Sequence, residues 1–326
     1  MAHPEPVAAL WRRQLLPFLP SSLQRAVAGI PDALACQALE LRIRLGRPLL
    51  LVTAAGEVAL QPDGSPAGEL RRALHPDRAC VEAFFEHLSG GSLYAVEEQV
   101  RRGYLTLPGG HRVGLCGRAV LDAGGGLQAL TELSGFNVRV ARAVEGAGRR
   151  VLGRLLVGPP GRRRLASTLV LAPPGAGKTT LLRDLARLAS AGVPEMGLAP
   201  CQVVVVDERS EIAGCWRGIP QHDVGPRTDV LDGCPKAEGV LWAVRALGPA
   251  VLVTDEVGTA ADVEALLRAC HSGASLVASA HADDLAGARR RRGLAQLLEQ
   301  GAFQRAVVLS LRAGPGTVEQ VEELQG

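Results

Sequence analysis

The chain has 326 residues, and its 36 basic side chains nearly balance its 33 acidic ones, so that the net charge is only +3. A balance this even gives no argument for a nucleic-acid partner. Apolar residues make up 47% of the chain but aromatic residues only 3%, which predicts a core of aliphatic side chains. A chain of this length has room for two domains and needs neither disulfides nor metals to be stable.

The cysteines and the hydropathy pattern indicate the compartment. The seven cysteines are odd in number and widely spaced, and no C-x-x-C pair occurs, which argues against a disulfide framework or a zinc site. We find no signal peptide and no apolar run long enough to span a bilayer. We therefore expect a soluble, cytoplasmic protein.

Arginines cluster in three short runs, at residues 149–150, 162–164 and 289–292. Such runs are typical of solvated turns and helix ends. Contact with an anionic membrane surface or with a partner protein is the alternative interpretation.

Residues 1–145 predict an α+β domain with an antiparallel meander. Residues 39–44 alternate apolar and charged side chains, as a half-buried strand does. Glycine-rich turns separate the later strands. The predicted helices are residues 7–19, 22–29, 77–87 and 93–101, and the further strands are residues 49–52, 104–107, 111–120 and 137–141.

Residues 166–326 follow a different pattern, in which short, continuous apolar runs alternate with helical segments. Strands without polar alternation are buried on both faces, which favours a mostly parallel sheet covered by helices. Between the two domains we expect a basic linker, residues 146–165. The predicted strands of the second domain are residues 167–171, 203–206, 251–254, 276–279 and 306–311.

A phosphate-binding loop is predicted at LAPPGAGKTT, residues 171–180, between a strand and a helix. It follows the pattern G-x-x-x-x-G-K-[ST], except that Ala172 replaces the first glycine. We expect the loop to tolerate this alanine at negative φ, because the position ends the strand ahead of the amides that hold phosphate. The residues predicted to contact ATP are Pro174, Gly175, Ala176, Gly177, Lys178, Thr179 and Thr180.

Backbone and side chains have separate roles in this loop. Gly175 and Gly177 let backbone amides turn toward the phosphates, and the start of the helix adds partial positive charge. Lys178 would reach the β and γ phosphates, and the Thr179 hydroxyl would ligate Mg²⁺. The loop therefore predicts ATP and Mg²⁺ as cofactors.

The strand at residues 251–254 ends in Asp255 and Glu256, at the carboxyl edge where α/β sheets bind ligands. Asp255 would hold Mg²⁺ through water, and Glu256 would orient or deprotonate the attacking water. A strand that ends in two acids is common by itself. Its combination with the phosphate-binding loop is what predicts an ATPase site.

A second strand, residues 203–206, is followed by Asp207, Glu208, Arg209 and Glu211. A surface turn with an internal ion pair is one interpretation. We favour a role in the site, because four consecutive valines direct these acids to the same sheet edge as the loop. Asp207 would then be a second candidate Mg²⁺ ligand, and Glu208 and Glu211 would be candidate catalytic acids.

The strand at residues 276–279 leads into His281. A lone histidine is usually structural. At the carboxyl end of a strand in an ATPase core, a role in sensing the γ-phosphate is equally consistent with the sequence, and His281 is therefore a candidate catalytic residue.

The order of these motifs resembles that of the secretion and pilus-motor ATPases, which are RecA-like hexamers with an Asp box and a His box. Over most of its length the chain resembles more closely the stage III sporulation AA family. Five stretches carry this likeness: ELRIRLGRPL (residues 40–49), GYLTLPGGHRVGLCG (103–117), FNVRVAR (136–142), VVVVDERSEIAG (203–214) and VTDEVG (253–258).

This resemblance implies a RecA-like fold for the second domain and ATP hydrolysis as the activity. It also implies that the ATPase energises a channel between mother cell and forespore, from the mother-cell cytoplasm at the forespore membrane. In secretion ATPases, arginines of the N-terminal domain and of a neighbouring subunit approach the γ-phosphate. The candidates here are Arg112, Arg118, Arg139, Arg209, Arg217 and Arg227.

The acidic box departs from that of the secretion ATPases, because it reads Asp-Glu-Arg-Ser-Glu. Glu208, Glu211 and Glu256 are therefore all candidates for polarising the attacking water. We choose Glu256.

We predict a Mg²⁺-dependent ATPase that assembles as a ring, with a hexamer as the expected form, and that moves one domain against the other. Its partner would be a membrane channel or secretion complex, with peripheral membrane contact. A nucleic-acid-dependent motor is one alternative, against which the near-neutral charge and the few aromatic residues argue. A non-hydrolysing ATP-binding scaffold is the other, against which the Asp255-Glu256 pair argues.

Overall fold

The computed structural model describes residues 7–101, 103–121, 124–125, 127–141, 146–159 and 161–324. The chain divides into two compact units, Met1–Arg142 (unit 1) and Ala143–Gly326 (unit 2). The domain boundary predicted at residue 145 falls in segment 142–145, which lies outside the described residues.

Unit 1 combines α-helices with a six-stranded antiparallel sheet of strand order β3-β2-β1-β6-β5-β4. Strands β1 to β3 and β4 to β6 each form a meander, and pairing of β1 with β6 joins the two. The predicted antiparallel N-terminal sheet is confirmed. The strands are Ala38–Arg44 (β1), Leu50–Thr53 (β2), Gly56–Ala59 (β3), Tyr104–Thr106 (β4), Arg112–Leu121 (β5) and Leu127–Arg139 (β6), and the helices are Val7–Leu15 (α1), Ser21–Ala28 (α2), Asp32–Ala35 (α3), Arg78–Ser89 (α4) and Leu93–Arg101 (α5).

The core of unit 1 lies between the helices and one face of this sheet. The alternation in β1 buries Leu41 and Ile43 completely, whereas Arg42 points to the opposite face. Phe136 of β6 lies opposite Ile43, and its ring meets that of Phe84 on α4 edge to face, with centroids 4.8 Å apart. The charged side of each strand is therefore left on the outer face of the sheet.

Unit 2 is built on a seven-stranded sheet of order β11-β10-β12-β13-β9-β14-β15. All neighbouring strands are parallel except the last pair, in which β15 runs antiparallel to β14. A separate short hairpin pairs β7 with β8. The strands are Leu156–Val157 (β7), Arg164–Leu165 (β8), Thr168–Leu171 (β9), Val203–Asp207 (β10), Thr228–Asp232 (β11), Val251–Glu256 (β12), Ser275–Ala280 (β13), Arg305–Ser310 (β14) and Thr317–Glu323 (β15).

Helices cover both faces of the unit 2 sheet, and each face has its own apolar cluster. The segment predicted as a basic linker, residues 146–165, contains α6 and the β7–β8 hairpin and belongs to unit 2. No helix among the described residues is both long and apolar enough to cross a membrane. The helices are Arg149–Leu155 (α6), Lys178–Ala191 (α7), Lys236–Trp242 (α8, continued by a π-helical turn at Ala243–Leu247), Ala260–Cys270 (α9), Leu285–Arg290 (α10) and Arg292–Glu299 (α11).

Candidate functional site

The predicted phosphate-binding loop connects β9 to α7 and contains two glycines in the left-handed region. Gly175 has φ +75° and Gly177 has φ +92°, values that disfavour any residue with a side chain. Gly177 directly precedes α7, and a β-carbon there would lie 3.1 Å from the backbone nitrogen of Gly316. Gly316 in turn donates a hydrogen bond to the Ala176 carbonyl at 3.0 Å. The turn between β14 and β15 therefore packs against the phosphate-binding loop at Ala176 and Gly177.

Ala172 occupies the position of the missing first glycine without strain. Its side chain is fully buried in the apolar core of unit 2, and its amide donates to the carbonyl of Ala280 at 3.3 Å. The non-glycine residues with positive φ in the described chain are Glu132, Ser210 and Arg217, so φ at Ala172 is negative, as the sequence analysis requires. The methyl group faces the core and not the loop.

A chain of polar contacts connects the loop with the acid at the end of β12. The Lys178 Nζ lies 2.8 Å from the Nδ1 of His281, and the Nε2 of His281 lies 2.8 Å from a carboxylate oxygen of Glu256. Lys178 also donates to the backbone carbonyls of Ala172 at 3.0 Å and Pro173 at 3.2 Å. His281 thus contacts both Lys178 and Glu256, and the three predicted residues form one connected network.

The imidazole of His281 has polar neighbours at both nitrogens. Nδ1 lies 2.8 Å from the Lys178 ammonium and 3.3 Å from the carbonyl oxygen of Ala172, and Nε2 lies 2.8 Å from Glu256. Burial lowers the pKa of Lys178, and the nearby Glu256 and Glu211 carboxylates partly offset this. The network therefore runs from the Lys178 side chain through His281 to Glu256.

Asp255 is buried beside a lysine that the sequence analysis did not identify as part of the site. The Lys236 Nζ lies 2.8 Å from Asp255 Oδ1, but neither oxygen of Asp255 accepts a hydrogen bond of ordinary geometry among the described residues. Burial raises the pKa of Asp255 to about 6, and the charge of Lys236 opposes that rise. Asp255 Oδ1 therefore lies beside the Lys236 ammonium, and Oδ2 has no hydrogen-bond partner among the described residues.

Asp207 has a structural role, which argues against the predicted role as a Mg²⁺ ligand. Its side chain is fully buried, and its two oxygens accept hydrogen bonds from the backbone amides of Glu211, Ile212 and Ala213 at 2.8, 3.0 and 2.9 Å. Three amide donors occupy the carboxylate and hold the 211–213 segment in place. We therefore correct the metal assignment of Asp207.

The other two acids of this segment lie near different lysines. The carboxylate of Glu208 is 3.5 Å from Lys236, and that of Glu211 contributes to the electrostatic environment of Lys178. The backbone carbonyl of Glu211 accepts a hydrogen bond from Arg183 on α7 at 2.7 Å. Glu211 therefore belongs to the neighbourhood of the loop, Glu208 to that of Lys236, and Glu256 is the acid seen in contact with His281.

Two cavities in unit 2 border the phosphate-binding loop and Glu256. One, of about 120 Å³, is lined by Thr180 and Gly177 of the loop and by Arg150, Leu309 and Val318. A larger cleft of about 680 Å³ is lined by Glu256 and the first residues of α9, together with Arg291 and Arg292. The loop and the acid at the end of β12 therefore each border open space.

The residues present fit a Mg²⁺–nucleotide. Thr179 is the second residue of α7, next to Lys178, where a hydroxyl can ligate Mg²⁺ together with phosphate, and Asp255 has two buried oxygens without ordinary hydrogen bonds. Mg²⁺ usually binds through one or two carboxylates plus substrate phosphates. Among the described residues, no group of three or more acidic, histidine or cysteine side chains could hold a metal ion.

The three arginine candidates in unit 1 all lie on β5 or β6. The Arg112 guanidinium lies 4.0 Å above the ring of Tyr104, and Arg112 is directly opposite Arg139 in the β5–β6 pairing. Arg139 is 3.4 Å from Glu40, and Arg118 is 3.6 Å from Glu132. Arg112 and Arg139 therefore form a cationic pair on one face of the sheet.

The three arginine candidates in unit 2 lie in different places. Arg209 and Arg217 are exposed, and the Arg217 guanidinium lies 4.7 Å above the ring of Trp216. Arg227 donates to the carbonyl of Ser190 near the end of α7, at 3.2 Å, and precedes β11. Because the loop is at the other end of α7, Arg227 does not belong to the site of its own chain.

The scarcity of lysine in the sequence distinguishes Lys236 from the other basic residues. The chain has 36 basic residues, of which only Lys178 and Lys236 are lysines, so that 34 (36 − 2) are arginines. Lysine is thus confined to two positions, and both lie in this site. Asp262, which accepts hydrogen bonds from the amides of Gly258 and Thr259 at the start of α9, was also missed as a neighbour of Lys236.

Comparison with known proteins agrees with this fold. Stage III sporulation protein AA of Bacillus subtilis (strain 168) is 41% identical over 313 residues, which cover 96% of this chain and 95% of that protein. The ATPase DotB of Legionella pneumophila is similar in structure with a TM-score of 0.54 at 13% identity, over 85% of this chain and 73% of that chain. The pilus retraction motor PilT with bound ADP has a TM-score of 0.55 at 12% identity, over 90% of this chain and 77% of that chain.

The two structural likenesses concern the fold, and they confirm the predicted RecA-like α/β architecture. A family model described as "Sporulation stage III, protein AA" matches residues 12–326, which is nearly the whole chain. The chain therefore belongs to the family of sporulation stage III protein AA.

Proposed function

We propose that this chain is a Mg²⁺-dependent ATPase of the secretion-motor type. The observation that carries the proposal is the chain of contacts from Lys178 through His281 to Glu256. It brings together a cation suited to phosphate, a histidine and a carboxylate that borders open space. Each of the three has a defined task in phosphoryl transfer to water.

Binding of ATP would rearrange this network. The phosphates would lie against the backbone amides of the loop and the start of α7, and Lys178 would exchange its carbonyl and imidazole contacts for β- and γ-phosphate oxygens. Mg²⁺, held by Thr179 and Asp255, would neutralise phosphate charge. The nucleoside would extend into the cavity that Thr180 and Arg150 line.

The move of Lys178 to the phosphates would also prepare the attacking water. Once Lys178 leaves Nδ1 of His281, the imidazole is available to the γ-phosphate. Glu256 then accepts a hydrogen bond from a water molecule and takes its proton as that water attacks. Glu208 and Glu211 would shape the local field, and Glu256 is the acid in contact with the histidine.

Assembly would complete the site. We propose that copies of the chain form a ring, with six subunits as the expected number, and that unit 1 and unit 2 move against each other during turnover. An arginine that acts in trans is worth about 10³–10⁵ in rate. Arg112 and Arg139 of unit 1, and Arg209 and Arg217 of unit 2, are the proposed sources.

Family membership supports a role in sporulation, and the fold supports a motor. We propose that the ATPase energises a membrane channel or secretion complex from the mother-cell cytoplasm, with peripheral contact at the forespore membrane. The arginines beside the larger cleft, Arg291 and Arg292, suit contact with an anionic membrane or an acidic partner segment.

Two other functions remain as outcomes of experiment. A nucleic-acid-dependent motor would show strong stimulation of ATP turnover by single-stranded DNA or RNA, and none by membranes or channel proteins. A non-hydrolysing scaffold would bind ATP without releasing phosphate. The net charge of +3 argues against the first, and the contact of Glu256 with His281 argues against the second.

ATP binding by the full chain tests the proposed site. Lys178→Ala removes a charge-assisted contact worth about 1.5–3 kcal/mol, so we expect ATP to bind roughly tenfold to a hundredfold more weakly. Arg268→Ala is the control, because it removes an exposed cation that pairs with Glu264 on α9. Equal ATP affinity in the wild type and in Lys178→Ala would refute the site.

A further inference from the structure

Lys236 is a buried cation surrounded by oxygen atoms. It is the first residue of α8, and only 4% of the residue is exposed. Its Nζ lies 2.8 Å from Asp255 Oδ1, 3.5 Å from Glu208 Oε2 and 4.0 Å from Asp262 Oδ2, and it donates a hydrogen bond to the backbone carbonyl of Glu256. These oxygens come from the ends of β10 and β12 and from the first turn of α9.

The surroundings keep this ammonium charged. Three carboxylates, those of Asp255, Glu208 and Asp262, lie within 4.0 Å of its Nζ and compensate the burial of its charge. A buried lysine is costly without such partners. Carboxylate and carbonyl oxygens are also the ligands that hard divalent cations prefer. Lys236 therefore places a tethered positive charge beside Asp255, the carboxylate that is proposed to help hold Mg²⁺.

The residue type itself supports a specific role. Of the 36 basic residues only Lys178 and Lys236 are lysines, in a chain that otherwise uses arginine. A guanidinium keeps the positive charge but spreads it over a larger planar group, whereas an ammonium concentrates it at one point. Lysine at position 236 therefore indicates a requirement for a small, concentrated charge.

We infer that Lys236 is a positioning residue that balances the charge of Asp255 while no divalent cation is bound, and that competes with Mg²⁺ for that carboxylate. The inference rests on the proposed function, in which Asp255 helps to hold Mg²⁺. An ammonium 2.8 Å from Oδ1 and a divalent cation at the same carboxylate repel each other strongly. Binding of Mg²⁺–nucleotide therefore moves the Lys236 side chain away from Asp255.

The Mg²⁺ dependence of ATP binding tests this competition. The dissociation constant of a fluorescent ATP analogue is measured with excess Mg²⁺ and with EDTA, at pH 8, for the wild type, Lys236→Met and Lys236→Arg. We expect Mg²⁺ to tighten binding at least about tenfold more in Lys236→Met than in the wild type, because the competing charge is gone. Lys236→Arg, which keeps the charge, should not show that gain. An unchanged or smaller Mg²⁺ effect in Lys236→Met overturns the inference.

The wild-type chain offers a second measurement that does not depend on folding of a variant. Because the sequence has two lysines, labelling with an amine-reactive reagent can be assigned by mass spectrometry without ambiguity. A non-hydrolysable ATP analogue should protect Lys178 with or without Mg²⁺, and should increase labelling of Lys236 only with Mg²⁺. Protection of Lys178 with no increase at Lys236 overturns the inference and leaves the ATP site intact. Absence of any nucleotide binding refutes the proposed function instead.

Discussion

Ala172 shows how a single residue can depart from a motif without loss of its geometry. The methyl group is buried in the core, while the backbone carbonyl accepts a hydrogen bond from Lys178. What the loop needs at this position is the carbonyl, which every residue has. The glycines that the loop does need are Gly175 and Gly177, since both have positive φ.

Restoring the missing glycine should therefore weaken the protein without improving the site. Ala172→Gly removes a buried methyl group and adds freedom to the unfolded chain, so we expect the free energy of unfolding to fall by about 1 kcal/mol. ATP affinity should not change. Denaturant unfolding and ATP titration measure both quantities, and tighter ATP binding in Ala172→Gly would show that the methyl group obstructs the nucleotide.

His111 makes the stability of unit 1 depend on pH. Its Nδ1 accepts from the amide of Ala141 at 2.9 Å, its Nε2–H donates to Gln14 at 3.1 Å, and burial lowers its pKa to about 4. The unfolded chain binds a proton near pH 6.5, so stability is complete above that pH and is lost as the pH falls toward 4. Between pH 8 and pH 5 we expect a loss of about 2 kcal/mol.

The measurement is urea unfolding at both pH values, followed by fluorescence of the buried Trp11 after replacement of Trp216 and Trp242 by phenylalanine. His111→Gln is the comparison, because glutamine does not titrate. The wild type should lose more stability than His111→Gln at pH 5. An equal loss in both would mean that other groups cause the pH dependence.

Some site residues were predictable from sequence, and others were not. Lys178, Glu256 and His281 follow buried apolar runs, and the ends of parallel strands meet at one edge, so their proximity could be inferred. Lys236 follows β11, an edge strand that was not predicted, and its burial depends on contacts with three other segments. Asp207 was predicted at the right edge but with the wrong role, because backbone hydrogen bonds leave no trace in the sequence.

At the scale of elements, the central strands of the unit 2 sheet were predicted and its two edge strands were missed. Strands β9, β10, β12 and β13 are continuous apolar runs, buried on both faces, and these runs indicate parallel strands directly. β11 and β15 are the two edges of the sheet and contain exposed acids. β6 begins at Leu127 rather than at residue 137, because its first half pairs with β5 in a mostly exposed hairpin.

The segment after β10 gives a prediction at this scale. Asp207→Asn should disturb the amides of residues 211–213, because an asparagine NH₂ group cannot accept their hydrogen bonds. We expect a loss of about 2 kcal/mol in stability and a lower rate of ATP turnover, with ATP binding retained. Asp229→Asn, on the exposed β11 edge, is the control. Full turnover and stability in Asp207→Asn would contradict the structural role.

At the scale of the whole molecule, catalysis by an arginine of a neighbouring subunit requires that copies of the chain assemble. The near-neutral charge gives copies of the chain no strong mutual repulsion. If an arginine acts in trans, ATP turnover per subunit should rise with protein concentration until the ring is complete, and light scattering should follow the same curve. A flat turnover per subunit over that range would exclude catalysis in trans.

Contacts between subunits and with partners depend on surfaces formed by residues that are distant in the sequence. A two-unit organisation could be inferred because the apolar pattern changes near residue 145, from alternating strands to continuous runs. Charge and composition describe the whole chain, whereas an interface depends on which side chains are brought together on one face.

Phosphate release by Glu256→Gln, compared with the wild type at saturating Mg²⁺–ATP, tests the central claim most directly. Glutamine keeps the size of the side chain and its hydrogen bond to His281 but cannot take a proton from water. We expect ATP still to bind and turnover to fall by roughly 10²–10⁴-fold, the usual contribution of a general base. Equal phosphate release by the two proteins would contradict this expectation.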